Sequence, residues 1–145
     1  MTWDDREIQE IKRYEGCRLR AYQDSLGVWT IGYGHTHGVQ SGDVITQAEA
    51  DELLEEDFID AENDARKVCP YFDTLSDPRK GVLVDMSFQL GYQKMSAFHG
   101  MLKALEDEDY SSAAAHMRSS LWARQTPARV TELAHRMETN EYFHG

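Results

Sequence analysis

Residues Glu15 to His35 read EGCRLRAYQDSLGVWTIGYGH, and the reading of this stretch decides the fold. Gly16, directly after Glu15, suits the left-handed position that closes a helix, so a first helix is predicted to stop at Glu15. Beyond it Leu19, Ala21, Val28, Trp29, Ile31 and Tyr33 are dispersed among Gly27, Gly32, Gly34, Gly38 and Gly42. Asp24-Ser25-Leu26-Gly27 has the composition of a turn, and Val28 to Tyr33 is rich in β formers. Two or three short antiparallel strands fit between Arg18 and Asp43, and nowhere else in the chain. A sheet this small and glycine-rich has to take its stability from packing on a helix.

The sequence on either side reads as helix. Thr2, with Asp5 three residues on, can cap the first helix, along which Ile8, Ile11 and Tyr14 form an apolar stripe. Thr46 and Glu49 make a capping box that opens a long helix. Its apolar positions Ala50, Leu53, Leu54, Phe58, Ala61, Ala65 and Val68 keep helical spacing until Pro70. Asp77-Pro78 supplies a cap and a first-turn proline for a helix through Val82, Leu83, Met86 and Leu90, closed by Gly91. Short helices are predicted over 96–105 and 111–121, around Phe98, Met101, Leu102, Ala114 and Met117. Thr126-Pro127 starts a last helix through Val130, Leu133 and Met137. The fold class is α+β, in one domain of 145 residues. An N-terminal helix and β lobe cover about 1–45, a connecting helix about 46–68 and a helical lobe about 70–145.

Composition narrows the function. The apolar fraction of 41% is that of an ordinary globular chain, and no apolar run approaches the roughly 18 residues of a membrane span. The net charge of −11 argues against nucleic acid and against stable association with an anionic membrane. The charge is uneven. Asp43 to Asp64 holds ten carboxylates and no Lys or Arg, whereas Tyr110 to Met137 holds four Arg and one acid, Glu132. The polar, acidic start, Met1 to Glu7, has neither the basic residues nor the apolar stretch of a signal peptide, which predicts residence in a cytoplasm until release. In that reducing compartment Cys17 and Cys69 are expected as two free thiols.

Glycoside hydrolysis needs one carboxyl that keeps its proton and one that stays ionised. Glu15 would lie at the last turn of a helix, where the negative end of the dipole disfavours ionisation, as would burial under the following hairpin. Asp24 would lie in a polar turn among backbone N–H groups, and Thr30 on the strand, with a hydroxyl to orient water or substrate. By residue type alone the trio says little, since any acidic chain offers a Glu, an Asp and a Thr within 16 residues. His35-Thr36-His37 offers two imidazoles without a third ligand, so no metal and no cofactor is expected.

The order and spacing of these residues carry more. The stretch resembles the catalytic segment of the phage lysozyme family, glycoside hydrolase family 24, with Glu, Asp and Thr at the same separations as Glu15, Asp24 and Thr30. The surroundings agree: Arg18-Leu19, Ala21-Tyr22 and Trp29 to His35. Phe88-Gln89-Leu90-Gly91 is similar to the helix bordering that family's cleft, and Trp122 to Arg129 to its Trp-to-Pro-Arg segment. The resemblance spans nearly the whole chain and implies a lysozyme-like fold, a small antiparallel β lobe and a helical lobe joined by a long helix. It implies Glu15 as general acid, Asp24 as the carboxylate that activates water or steadies the sugar cation, and Thr30 as the residue that positions water, which favours inversion. Arg129 is expected near Glu15. His35 is expected to pair with Asp57 in a structural role, and Tyr22, Phe88, Gln89 and Trp122 to contact sugars.

The implied substrate is peptidoglycan, cut between N-acetylmuramic acid and N-acetylglucosamine by a monomer that waits in a host cytoplasm for a holin-type membrane lesion. A virion-borne lysozyme, a chitin- or chitosan-cleaving relative and an inactive wall-binding protein are the rivals. The acidity departs from the basic character of familiar phage lysozymes and weakens the expectation of strong wall affinity.

Overall fold

The computed structural model describes residues 1–145. The elements run α1 (Trp3–Glu15), β1 (Arg18–Gln23), β2 (Trp29–Gly32), α2 (Gln47–Val68), a 3₁₀ turn (Phe72–Thr74), α3 (Asp77–Leu90), α4 (Tyr92–Ser96), α5 (His99–Glu106), α6 (Tyr110–Arg118), α7 (Leu121–Gln125) and α8 (Pro127–Thr139). Mostly helical with one two-stranded antiparallel sheet, this is the α+β, lysozyme-like fold. The chain divides into two compact units, Met1–Asp60 and Ala61–Gly145, with the division inside α2.

In the first unit, local sequence sets the element ends. Thr2 and Asp5 form the capping box of α1. Gly16 closes the helix with its N–H donating to the Lys12 carbonyl, at φ 66 and ψ 169, so its φ is positive but the conformation is not helical. The buried face of α1 is Ile11 with Glu7 and Glu10, rather than an apolar stripe; Ile8 and Tyr14 are only half-buried. Glu10 meets Arg6 at 3.6 Å and Arg13 at 3.0 Å. The strands pair with Tyr22 opposite Thr30 and Gln23 opposite Trp29, and an irregularity separates that register from Arg18 opposite Gly32. A third segment adds a bridge between Val44 and Arg20 on the other edge of β1. The sheet rests on α2: a Cβ at Gly32 would stand 3.6 Å from the Ala50 methyl. Thr46 and Glu49 cap α2 reciprocally, each backbone N–H donating to the other's side chain at 3.1 Å.

In the second unit α3 is buried almost all round from Val82 to Ser87, as a helix at the centre of a core must be. Met95, Met101, Leu105, Met117, Leu133 and Met137 complete that core, none more than 1% exposed. Charged groups inside it have structural roles. The Arg79 Nε donates to the Met137 carbonyl at 2.8 Å and its Nη2 to the Glu138 carbonyl at 3.2 Å, closing the open end of α8. The same guanidinium lies 3.5 Å from the Tyr110 ring centroid, and burial lowers its pKa from the usual value.

Several local expectations are corrected here. The N-cap of α3 is Ser76, with Asp77 already in the first turn. The helix expected over 96–105 begins later, at His99, and a separate helix, α4, precedes it. The helix expected over 111–121 is two, because Ser120 starts α7 by accepting from the Ala123 N–H at 3.1 Å. Thr126 stands at the start of α8 but its hydroxyl does not cap it.

Candidate active site

Glu15, Asp24 and Thr30 all lie in the first unit, each held by a different piece of local structure. Glu15 is the last residue of α1 and is half-buried. The chain leaving β2 passes so close to it that a Cβ at Gly34 would sit 2.7 Å from the Glu15 Oε1. With φ at +77 as well, position 34 accepts glycine alone without strain. Sequence reading gave this glycine no more weight than its neighbours; only the approach to Glu15 distinguishes it.

Asp24 begins the hairpin turn. Its Oδ1 accepts from the Leu26 N–H at 2.8 Å and from the Val28 N–H at 2.9 Å, while its own N–H donates to the Val28 carbonyl at 2.9 Å. Two amides thus fix the carboxylate through one oxygen. Thr30 lies on β2, is 4% exposed, and donates its hydroxyl proton to the Val28 carbonyl at 2.9 Å. The Thr30 oxygen keeps its lone pairs for a further donor. Tyr22, opposite it in register, is half-buried with the Arg18 guanidinium 4.3 Å from its ring centroid.

The loop after β2 is pinned by His35. Its Nδ1 is 2.8 Å from Asp57 Oδ2 on α2 and its Nε2 2.9 Å from the His37 carbonyl. Both ring nitrogens of His35 are thus engaged, one by a carboxylate and one by a backbone oxygen. No group of three or more His, Cys, Asp or Glu is placed to hold a metal.

The remaining candidates lie in the second unit, where Gln89 and Trp122 are joined to each other and Arg129 is joined to a different residue of α3. Trp122, 3% exposed, donates its indole N–H to Gln89 Oε1 at 2.7 Å, and Gln89 Nε2 reaches the Thr126 hydroxyl at 3.3 Å. The Thr126 hydroxyl in turn reaches the Trp122 carbonyl at 3.2 Å. Arg129 points both its Nε and Nη2 at one oxygen of Asp85, at 2.9 and 2.7 Å. Asp85 is fully buried, and its second oxygen and the neighbouring Ser87 hydroxyl accept nothing. Nothing in the sequence singled out Asp85, a lone carboxylate on an apolar helix 44 positions before its partner. Phe88 is half-buried on the same helix. A pocket of about 520 Å³ opens nearby, lined by Phe98, Met101, His116, Leu121 and Trp122 among others. Phe98 meets the Trp122 ring edge-on at a centroid distance of 6.0 Å.

A small sheet with a helix-end glutamate, an amide-bound aspartate and a strand threonine, in an α+β chain of this topology, defines an enzyme of the lysozyme class. The phage lysozyme family model matches residues 12–140, and the chain belongs to that family. It is 43% identical over 110 residues to an endolysin of Acyrthosiphon pisum secondary endosymbiont phage 1, across 72% of this chain and 70% of that one. The endolysin of Salmonella phage P22 is 37% identical over 114 residues, across 74% and 75% of the two chains. The pre-baseplate central spike protein Gp5 of Enterobacteria phage T4 is 31% identical over 169 residues, across 90% of this chain but 29% of Gp5.

Proposed function

We propose that this lysozyme is an endolysin that hydrolyses peptidoglycan at the β-1,4 bond between N-acetylmuramic acid and N-acetylglucosamine. The observation that carries the reading is the family match running from α1 through α8, with Glu15, Asp24 and Thr30 each on a distinct, locally fixed element. Glu15 gives its proton to the glycosidic oxygen. Asp24, anchored by two amides, activates water or steadies the positive charge of the sugar transition state, and Thr30 presents its oxygen to the attacking water. Inversion follows from a positioned water, and proton NMR of the first-formed anomer checks it. Arg129 on α8, held by Asp85, is a further site residue in this reading. Tyr22, Phe88, Gln89 and Trp122 contact the sugars, with Gln89 and Trp122 acting as one hydrogen-bonded surface. The His35–Asp57 pair is structural, holding the loop that carries Gly34.

The chain works as a single lysozyme domain over 1–145 and as a monomer. It is held in the host cytoplasm and reaches the wall through a holin-type lesion; no helix is long and apolar enough to cross a membrane. The match to Gp5 favours a second reading, a lysozyme carried by the virion, which mass spectrometry of purified particles would detect. The principal test compares wild type and Glu15→Gln in turbidity clearance of outer-membrane-stripped Gram-negative cells. The variant is expected to lose about 10³-fold in rate with an unchanged melting curve, because an amide has no acidic proton to give. Clearance at the wild-type rate would remove Glu15 from the acid role.

A further inference from the structure

A general acid works only when its carboxyl is held within about half an ångström of the productive geometry. Two separate segments meet at the Glu15 carboxyl, the last turn of α1 and the loop leaving β2, which passes within van der Waals reach at Gly34. Their separation therefore matters to the reaction. On one side of Gly34 the loop is fastened to α2 by His35 and Asp57. On the other side Tyr33 is fastened too, and by a denser set of contacts.

Gln47, the first residue of α2, stands at the centre of that set. Its Nε2 donates to the Tyr33 hydroxyl at 3.1 Å and to Asp51 Oδ1 at 3.1 Å. Its Oε1 accepts from the Cys17 Sγ at 3.8 Å. The same Asp51 oxygen lies 3.3 Å from Lys12 Nζ, and that ammonium is 5.3 Å from the Tyr33 ring centroid. Both donors and the acceptor of the Gln47 amide are thus in use. Lys12 precedes Glu15 by three residues, on the same face of α1, and Cys17 follows it by two. The links bracket Glu15 along the chain and also reach the residue next to Gly34. Every member belongs to the first unit.

We propose that Gln47 and Tyr33 are positioning residues for the reaction: through them the first turn of α2 sets the distance between Glu15 and the loop that carries Gly34. The proposal rests on the reading of Glu15 as general acid. An amide suits position 47, since an ammonium has no acceptor for the Cys17 thiol and a carboxylate would face Asp51 with like charge. Stability is a poor explanation for the cluster. Gln47 and Cys17 are exposed, and the side chains of Lys12 and Asp51 are 37% and 43% exposed. Polar links at such exposure contribute little to folding one by one. What they share is a common target, the two segments that meet at the Glu15 carboxyl.

The experiment measures kcat and KM separately on purified peptidoglycan. Gln47→Ala should lower kcat about tenfold and leave KM within about twofold of wild type. Tyr33→Phe keeps the ring beside Lys12 and removes only the hydroxyl, and should lower kcat about threefold. The double variant should be no slower than Gln47→Ala alone, because both changes break one link. Thr2→Ala, which removes the cap at the far end of α1, destabilises the same unit and should leave kcat unchanged. A folded Gln47→Ala with the wild-type kcat overturns the proposal, and so does an equal loss of kcat in Thr2→Ala. If Gln47→Ala does not fold, Tyr33→Phe decides instead, and an unchanged kcat there overturns it. Failure of the underlying reading shows separately, as full clearance by Glu15→Gln, whatever Gln47→Ala does.

Discussion

The two units of this enzyme use their residues differently. The second, Ala61–Gly145, is built around a helix buried on every side and a set of methionine and leucine side chains with almost no exposure. There Arg79 is tied to the end of α8, and Arg129 and Asp85 are tied to each other. The first, Met1–Asp60, has a thin core of Ile11, Ile31, Ala50, Leu54 and Phe58 and leaves Leu26 at the hairpin tip 85% exposed. There the candidate catalytic groups are fixed by backbone amides, a carbonyl and a glycine contact rather than by packing. The lesson is that a carboxylate can be held accurately by a tight turn where a large core would desolvate it, while the bulk of the stability is placed elsewhere.

If that division holds, core truncation in the second unit should cost the most. Leu133→Ala is expected to lower stability by about 3 kcal/mol, read from the urea midpoint, and to leave the activity of the folded fraction intact. Gly34→Ala tests the other side. It should cost less stability, about 1–2 kcal/mol from its positive φ, yet reduce kcat by about 100-fold because the new methyl displaces the Glu15 carboxyl. A Gly34→Ala enzyme with normal turnover would break the comparison at its most specific point.

The two cysteines probe the same contrast with smaller effects. Cys17 is exposed in the first unit; Cys69 is buried in the second, where burial pushes its thiol up to about 11 despite a hydrogen bond to Tyr71. At pH 8 a thiol reagent should consume one equivalent from the native protein and a second only on unfolding. Since the unfolded thiol ionises near 9 and the folded one near 11, rising pH favours the unfolded chain across that window. The melting temperature should therefore fall across it, less steeply in Cys69→Ala. Last, Leu26→Ser should change stability by no more than about 0.5 kcal/mol, as an exposed tip position does.

What was legible in the sequence follows the same split between local and distant causes. The Thr2–Asp5 and Thr46–Glu49 boxes, the end of α1 at Glu15 and the Asp24 turn are each decided within four or five residues, and each stands where those residues place it. Ser76 was passed over because Asp77 is an equally good cap by type, and the break at Ser119-Ser120 because a serine side chain can as readily lie inside a helix as cap one. The burial of Glu7 and Glu10 keeps helical spacing but puts carboxylates where apolar side chains are expected. Asp85 and Gly34 acquire meaning only from partners brought to them by the fold: Arg129 for the one, Glu15 for the other.

The clasp of Arg79 on the last carbonyls of α8 has a consequence for biosynthesis. Its two bonds join residues 58 and 59 positions apart, with the guanidinium near the start of α3 and its acceptors at Met137 and Glu138. A nascent chain cannot make them until residue 138 has left the ribosome. The helical unit is therefore sealed only after that point, and until then Arg79 is a solvated cation on an unfinished bundle.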